Sequence, residues 1–137
     1  ISFIGVMSFG TGLPMAIGGV AQSAIPIQFL MDCNGATTKE DFHIPASNRQ
    51  LDDFFWSQRE PIQLIRQLDC GYIRLQSQTD NLRSCRAILR AAQKFNLPWF
   101  QLNYHQRNKI PHSPNLLRPN KPALLNAIQS KLKLFHP

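Results

Sequence analysis

The chain has no apolar run of about 20 residues, so no stretch of it is long enough to cross a bilayer as a helix. It is poor in cysteine. Cys33, Cys70 and Cys85 are its three thiols, an odd number at no metal-binding spacing. That argues against a disulfide framework and a zinc site, and leaves buried, reduced thiols in a cytoplasmic protein as the expectation. Acidic side chains are scarce, 8 against 15 Lys and Arg, which gives a net charge of +7. The basic residues are spread from Lys39 to Lys133, with no dense block, no glycine-aromatic RNA motif and no zinc-finger spacing. A net charge alone identifies no partner, so a solvated basic surface is expected, with neither nucleic acid nor membrane bound. No internal repeat or low-complexity tract is present. Ile1 to Met7 is apolar but lacks the leading basic residues of a signal peptide. The chain opens without an initiator Met in what reads as a buried strand, and natural sequence upstream is expected.

What is there is globular. Hydrophobic residues make up 43% of 137 residues, enough for one domain, 1–137, with a modest core. ISFIGVM (1–7) is a short apolar run ended by Ser8, Gly10 and Gly12, the pattern of a strand buried on both faces. A helix is expected near 14–22, with Pro14 in its first turn. IPIQFLM (25–31) reads as a second strand ending at Asp32. Residues 33–52 are polar and irregular, a long excursion. Helical spacing resumes over 53–68 through Phe55, Ile62 and Ile65. GYIRLQS (71–77) is a third strand. Leu82, Cys85, Ile88, Leu89, Ala92 and Phe95 mark one face of a helix over 82–96. PWFQLN (98–103) is a fourth strand. A proline-rich connection then leads to a last helix, 121–134, with Leu125, Ile128, Leu132 and Phe135 on one side. Strands alternating with helices predict an α/β fold: a parallel sheet flanked by helices in three α/β/α layers. An unpaired sheet edge would favour self-association.

Three residues are candidates for chemistry. Ser8, in VMSFGTG, follows a buried strand and precedes a glycine by two residues. That is the setting of a nucleophile elbow, where a tight strand-to-helix turn presents a hydroxyl at the end of a sheet. The competing reading is a plain turn capped by Ser8. Asp80, just past the third strand, suits the carboxylate that orients a histidine, or equally an N-cap for the following helix. Asp32 is an alternative acid. His105 lies a few residues past the fourth strand and is the candidate base, with His112 as the alternative. The order Ser8, Asp80, His105 is that of the α/β hydrolases.

FWSQREPIQLI, CGYIRLQSQTDN and PWFQLN together resemble a bacterial branch of α/β-hydrolase-like proteins. The likeness runs roughly from Ile4 to Asn108. It places Ser8 on the elbow strand, Asp32 and Gly35 at an acidic-glycine turn, and Trp56, Arg59 and Glu60 on a helix. Tyr72 through Ser77 form the YxRxQS strand, with Asp80 after it, and Leu102 and Asn103 close the last strand. It implies a partial α/β-hydrolase domain, from the elbow strand to the C-terminal helix, acting on an ester or related small-molecule acyl substrate without cofactor or metal. Two residues depart from the branch's pattern: Val6 stands where the elbow's first glycine is usual, and Asn81 where histidine often follows the aspartate. The early strands and one oxyanion donor would belong to upstream sequence, so the piece is expected to have little activity alone. A non-catalytic hydrolase-like module is the alternative these departures favour. SFGTGLPMAIGG followed by FLMDCNG also resembles the glycine-rich helix and metal-binding strand end of thiamine-diphosphate enzymes, without their Gly-Asp-Gly.

Overall fold

The structure, a computed structural model, describes residues 5–42, 53–77, 80–104 and 121–135. Its elements are β1 (Gly5–Phe9), α1 (Leu13–Ala21), β2 (Phe29–Cys33), α2 (Asp53–Ser57), α3 (Pro61–Leu64), β3 (Gly71–Ser77), α4 (Leu82–Lys94), β4 (Trp99–Tyr104) and α5 (Lys121–Phe135). The four strands form one sheet in the order β1-β2-β3-β4, and every neighbouring pair is parallel.

Strand pleating sends alternate residues to opposite faces, and each face is covered differently. Leu30 and Tyr72 face a core built with Leu13, Ile17 and Val20 of α1 and Ile88 and Ala92 of α4. Met31, Cys33, Ile73 and Leu75 face the other side, against Ile128 and Leu132 of α5. The layers are therefore α/β/α, as expected. β3 is buried at all seven positions, its polar Arg74, Gln76 and Ser77 included. Leu125, expected on the covered side of α5, is 48% exposed.

Three boundaries differ from the sequence reading. β1 continues to Phe9, so Ser8 lies within the strand. The second strand starts at Phe29 rather than residue 25. Pro26 has no N–H to give a ladder, and Ile25 is left 59% exposed. β2 runs on to Cys33, so Asp32 is inside it, not beyond its end. The continuous helix expected over 53–68 is broken. Glu60 is extended (φ −69°, ψ 125°), Pro61 opens α3, and a 3-10 turn follows at Ile65–Gln67. A residue before proline is pushed out of helical conformation, and proline fits a first helical position.

β1 is an edge of this sheet, and Met7 on it is 47% exposed. Among the described residues, no helix is long and apolar enough to cross a membrane. All three cysteines are free and buried. Burial pushes the Cys33 thiol up to about 12, with the Asp32 carboxylate adding to it. Burial, with Asp69 adding to it, raises Cys70 to about 11, and burial raises Cys85 as well. Alkylation by a thiol dye at pH 8 should therefore be slow in the native protein, and three thiols should react once guanidinium unfolds it. One fast equivalent without denaturant would contradict this packing.

Candidate functional site

A line of residues crosses the sheet at one level. Register pairs Ser8 with Asp32, Asp32 with Arg74, and Arg74 with Gln101. Below that level the same face is apolar through Val6, Leu30 and Tyr72. The change from apolar to polar comes one residue before the ends of β1 and β2 and at the middle of β3, on the side of the C-terminal edge at which parallel sheets bind ligands.

Asp32 and Arg74 are 0% and 1% exposed and form an ion pair, Nη1 to Oδ2, at 2.5 Å. The Tyr72 hydroxyl donates to the same carboxylate oxygen at 2.5 Å. Arg74 also donates from Nη1 to the Gly35 carbonyl at 2.9 Å and from Nε to Gln76 Oε1 at 3.0 Å. Burial alone would lower the guanidinium, but the adjoining Asp32 carboxylate more than reverses this and raises it. Burial, reinforced by Asp32, holds the Tyr72 phenol well above its ordinary range. A side chain at position 35 would collide with Asp32 Oδ1, so this turn needs glycine.

A second cluster ties the segment after β2 to the start of α4. Asp41 Oδ2 accepts from the Thr37 and Thr38 amides at 2.9 and 3.0 Å and from Ser84 Oγ at 2.7 Å. Its Oδ1 accepts from Asn81 Nδ2 at 3.0 Å. Burial pushes the Asp41 carboxyl up, and these hydrogen bonds outweigh it, holding the group below its ordinary value. Asn81 caps α4, its side chain accepting from the Ser84 amide at 3.1 Å. The cap is thus Asn81, and Asp80 sits one residue ahead, its Oδ1 accepting from the Asn81 amide at 2.7 Å.

Between these clusters is a cavity of about 550 Å³. Phe9 at the end of β1 and Gly10 just beyond it line it, with Asn34 and Gly35 beyond β2, Asp80 beyond β3, and Arg74 also on its wall. Gly10 opens the 3-10 turn that joins β1 to α1 and has φ 55°. Ser8 is 6% exposed, and its Oγ finds no hydrogen-bond partner among the described residues.

No family model matches the sequence, and neither does any curated protein. Solved structures do match. The uncomplexed acylaminoacyl peptidase of Pyrococcus horikoshii aligns with 96% of this chain at TM-score 0.64 and 13% identity. An acetyl ester-xyloside bifunctional hydrolase from Caldicellulosiruptor lactoaceticus aligns with 96% at TM-score 0.61 and 13% identity. Porphyromonas gingivalis dipeptidyl peptidase 4 aligns with 90% at TM-score 0.57 and 12% identity. The chain has the α/β-hydrolase fold. It spans 24%, 55% and 19% of those three chains. At such identities the likeness carries the hydrolase fold and not the activity.

Within that fold, Asp80 and the β1–α1 turn meet at one cavity, while Ser8 lies inside β1. His105 and His112 fall outside the described residues. Asp32, the alternative acid and the residue that the thiamine-enzyme likeness would offer to a metal, has one carboxylate oxygen engaged by Arg74 and Tyr72. Among the described residues, no group of His, Cys, Asp and Glu could hold a metal ion. Of the resemblance residues, Trp56 is buried and stacks at a tilt on Phe42. Arg59 lies over the Phe55 ring, and Glu60 accepts from the Lys39 amide at 2.8 Å. Sequence reasoning missed Arg74 and Asp41. An arginine in the middle of an apolar strand, one strand away from an aspartate, was the available signal for the first. Nothing local marks the second.

Two predictions follow from these contacts. Removing one partner of a buried ion pair strands the other, typically at about 3–5 kcal/mol. Arg74→Met should lose stability on that scale in urea unfolding, and adding Asp32→Asn should restore part of it. A loss below about 1 kcal/mol, the ordinary range of a surface pair, would contradict the buried pairing. Asp41, lowered in the folded state, contributes stability that is fully present above its unfolded value, about 3.9. That contribution is lost as pH falls through the folded value. Asp41→Asn should flatten the acid limb of the stability profile below about pH 4.

Proposed function

We propose that this chain is a non-catalytic module of α/β-hydrolase fold that holds a small polar molecule in the cavity at its sheet edge. The position of Ser8 carries this reading. A nucleophile must come within about 3–3.5 Å of the carbon it attacks. Ser8 is buried within β1, and the cavity wall nearest that strand is formed by Phe9 and Gly10. The turn that would present a reactive side chain carries glycine. The cavity has a polar lining that includes Arg74, Asp41, Asp80 and Asn81. Buried Arg74 and the Asp41 cluster fix its walls, and preorganised polar groups reduce the cost of ordering on binding.

One observation favours a second reading. Asp80 lines the same cavity, as the orienting acid of a serine hydrolase would. There Ser8 would attack an acyl carbonyl, His105 or His112 would take its proton, and Asp80 or Asp32 would stabilise the imidazolium. A fluorophosphonate probe separates the two. Under the non-catalytic reading, the wild-type chain stays unlabelled over hours. Labelling abolished by Ser8→Ala would establish Ser8 as a nucleophile and end that reading.

A further inference from the structure

We infer that residue 10, not residue 8, is the reactive position of this fold, and that glycine has emptied it. The inference rests on the non-catalytic reading and says where the nucleophile is missing from. In a nucleophile elbow the reactive residue itself carries the strained backbone at the apex of the strand-to-helix turn, which lifts its side chain clear of the sheet. Here that backbone belongs to Gly10, with φ 55°. Ser8 is still in ladder register with Asp32, and Phe9 with Cys33. Phe9 packs on the α5 side of the sheet, and the chain leaves the ladder at Gly10. The Gly10 carbonyl accepts from the Ala36 amide at 2.9 Å, which fixes the turn against the segment after β2.

The spacing of small residues agrees. An elbow needs small side chains two residues before and two after its apex, where strand and helix approach closely. Around residue 8 those positions are Val6 and Gly10, and Val6 does not fit. Around residue 10 they are Ser8 and Gly12, and both fit. Val6 is instead a core residue, packed with the α1 and α4 side chains. Ser8 is thus the small strand residue that gives the turn room. Gly10 lines the cavity beside Asn34, Gly35 and Asp80, the place a reactive side chain would enter. The nine-residue α1 begins three positions later. A helix N-terminus so close favours negative charge at residue 10.

A thiol placed at the apex tests this. With iodoacetamide, a Gly10→Cys thiolate would form an S–C bond as iodide leaves, its proton having passed to solvent. Alkylation at pH 7 should be at least about ten-fold faster than for Ser8→Cys or for the three native cysteines, because helix N-termini favour the thiolate. Equal rates, or a faster Ser8→Cys, would overturn the assignment. A cysteine is strained at this φ, so Gly10→Asp is the companion variant, aspartate being more tolerant of left-handed backbone. Its carboxyl should titrate below the usual aspartate value by NMR, and an ordinary or raised value counts against the assignment. If circular dichroism shows that neither variant folds, the turn admits no side chain and the inference fails. Fluorophosphonate labelling of wild-type Ser8 would instead remove the non-catalytic reading itself.

Discussion

Arg74 is a fully buried cation in the most enclosed strand of the sheet, and much of the C-terminal edge is arranged to satisfy it. Its charge is answered by Asp32 on the next strand, and its other donors by the Gly35 carbonyl and Gln76. Because the pair is deep, losing either member costs far more than the pair contributes over an apolar substitute. Asp32, held by that pairing, leaves no room for a side chain at position 35, and the Arg74 bond to the Gly35 carbonyl ties down the chain after β2, which forms one wall of the cavity. Tyr72 is drawn in as well, its hydroxyl spent on the same carboxylate.

The constraint reaches function through Asp32. As the first acid after β1, it would otherwise be free for chemistry. With one oxygen committed to Arg74 and Tyr72, it holds the site together. The Asp41 cluster has the parallel role on the other wall, joining Thr37 and Thr38 to the first turn of α4. Asn81, which stands where a histidine often follows the aspartate in the resembling branch, caps that helix and reaches Asp41. The departure from the pattern therefore has a structural use.

The strand-helix alternation, both faces of the sheet and the identity of β3 and α4 were legible because hydrophobic periodicity reports burial directly. The α/β-hydrolase likeness was legible too, as a resemblance carried by FWSQREPIQLI, CGYIRLQSQTDN and PWFQLN. Boundaries were less so. Pro26 and Pro61 sit inside apolar runs, and apolarity alone does not say that a missing N–H will delay a strand or split a helix. Ser8 was singled out because the apolar run reads as ending just before it, with Gly10 two residues later. Its place in the ladder depends on where β1 stops pairing with β2, which no property of the MSFGTG segment alone states.

By itself, the sequence determined the layered fold, the buried thiols and the set of residues from which a site could be built. Tertiary structure decided which of them meet. The partner of Arg74 lies 42 residues away and that of Ser84 43 residues away. The residue at the apex of the β1–α1 turn was also decided there. A left-handed φ at Gly10 is a property of the turn that closes β1 onto α1, and the point at which β1 stops pairing with β2 leaves Ser8 in the ladder and Gly10 on the cavity wall.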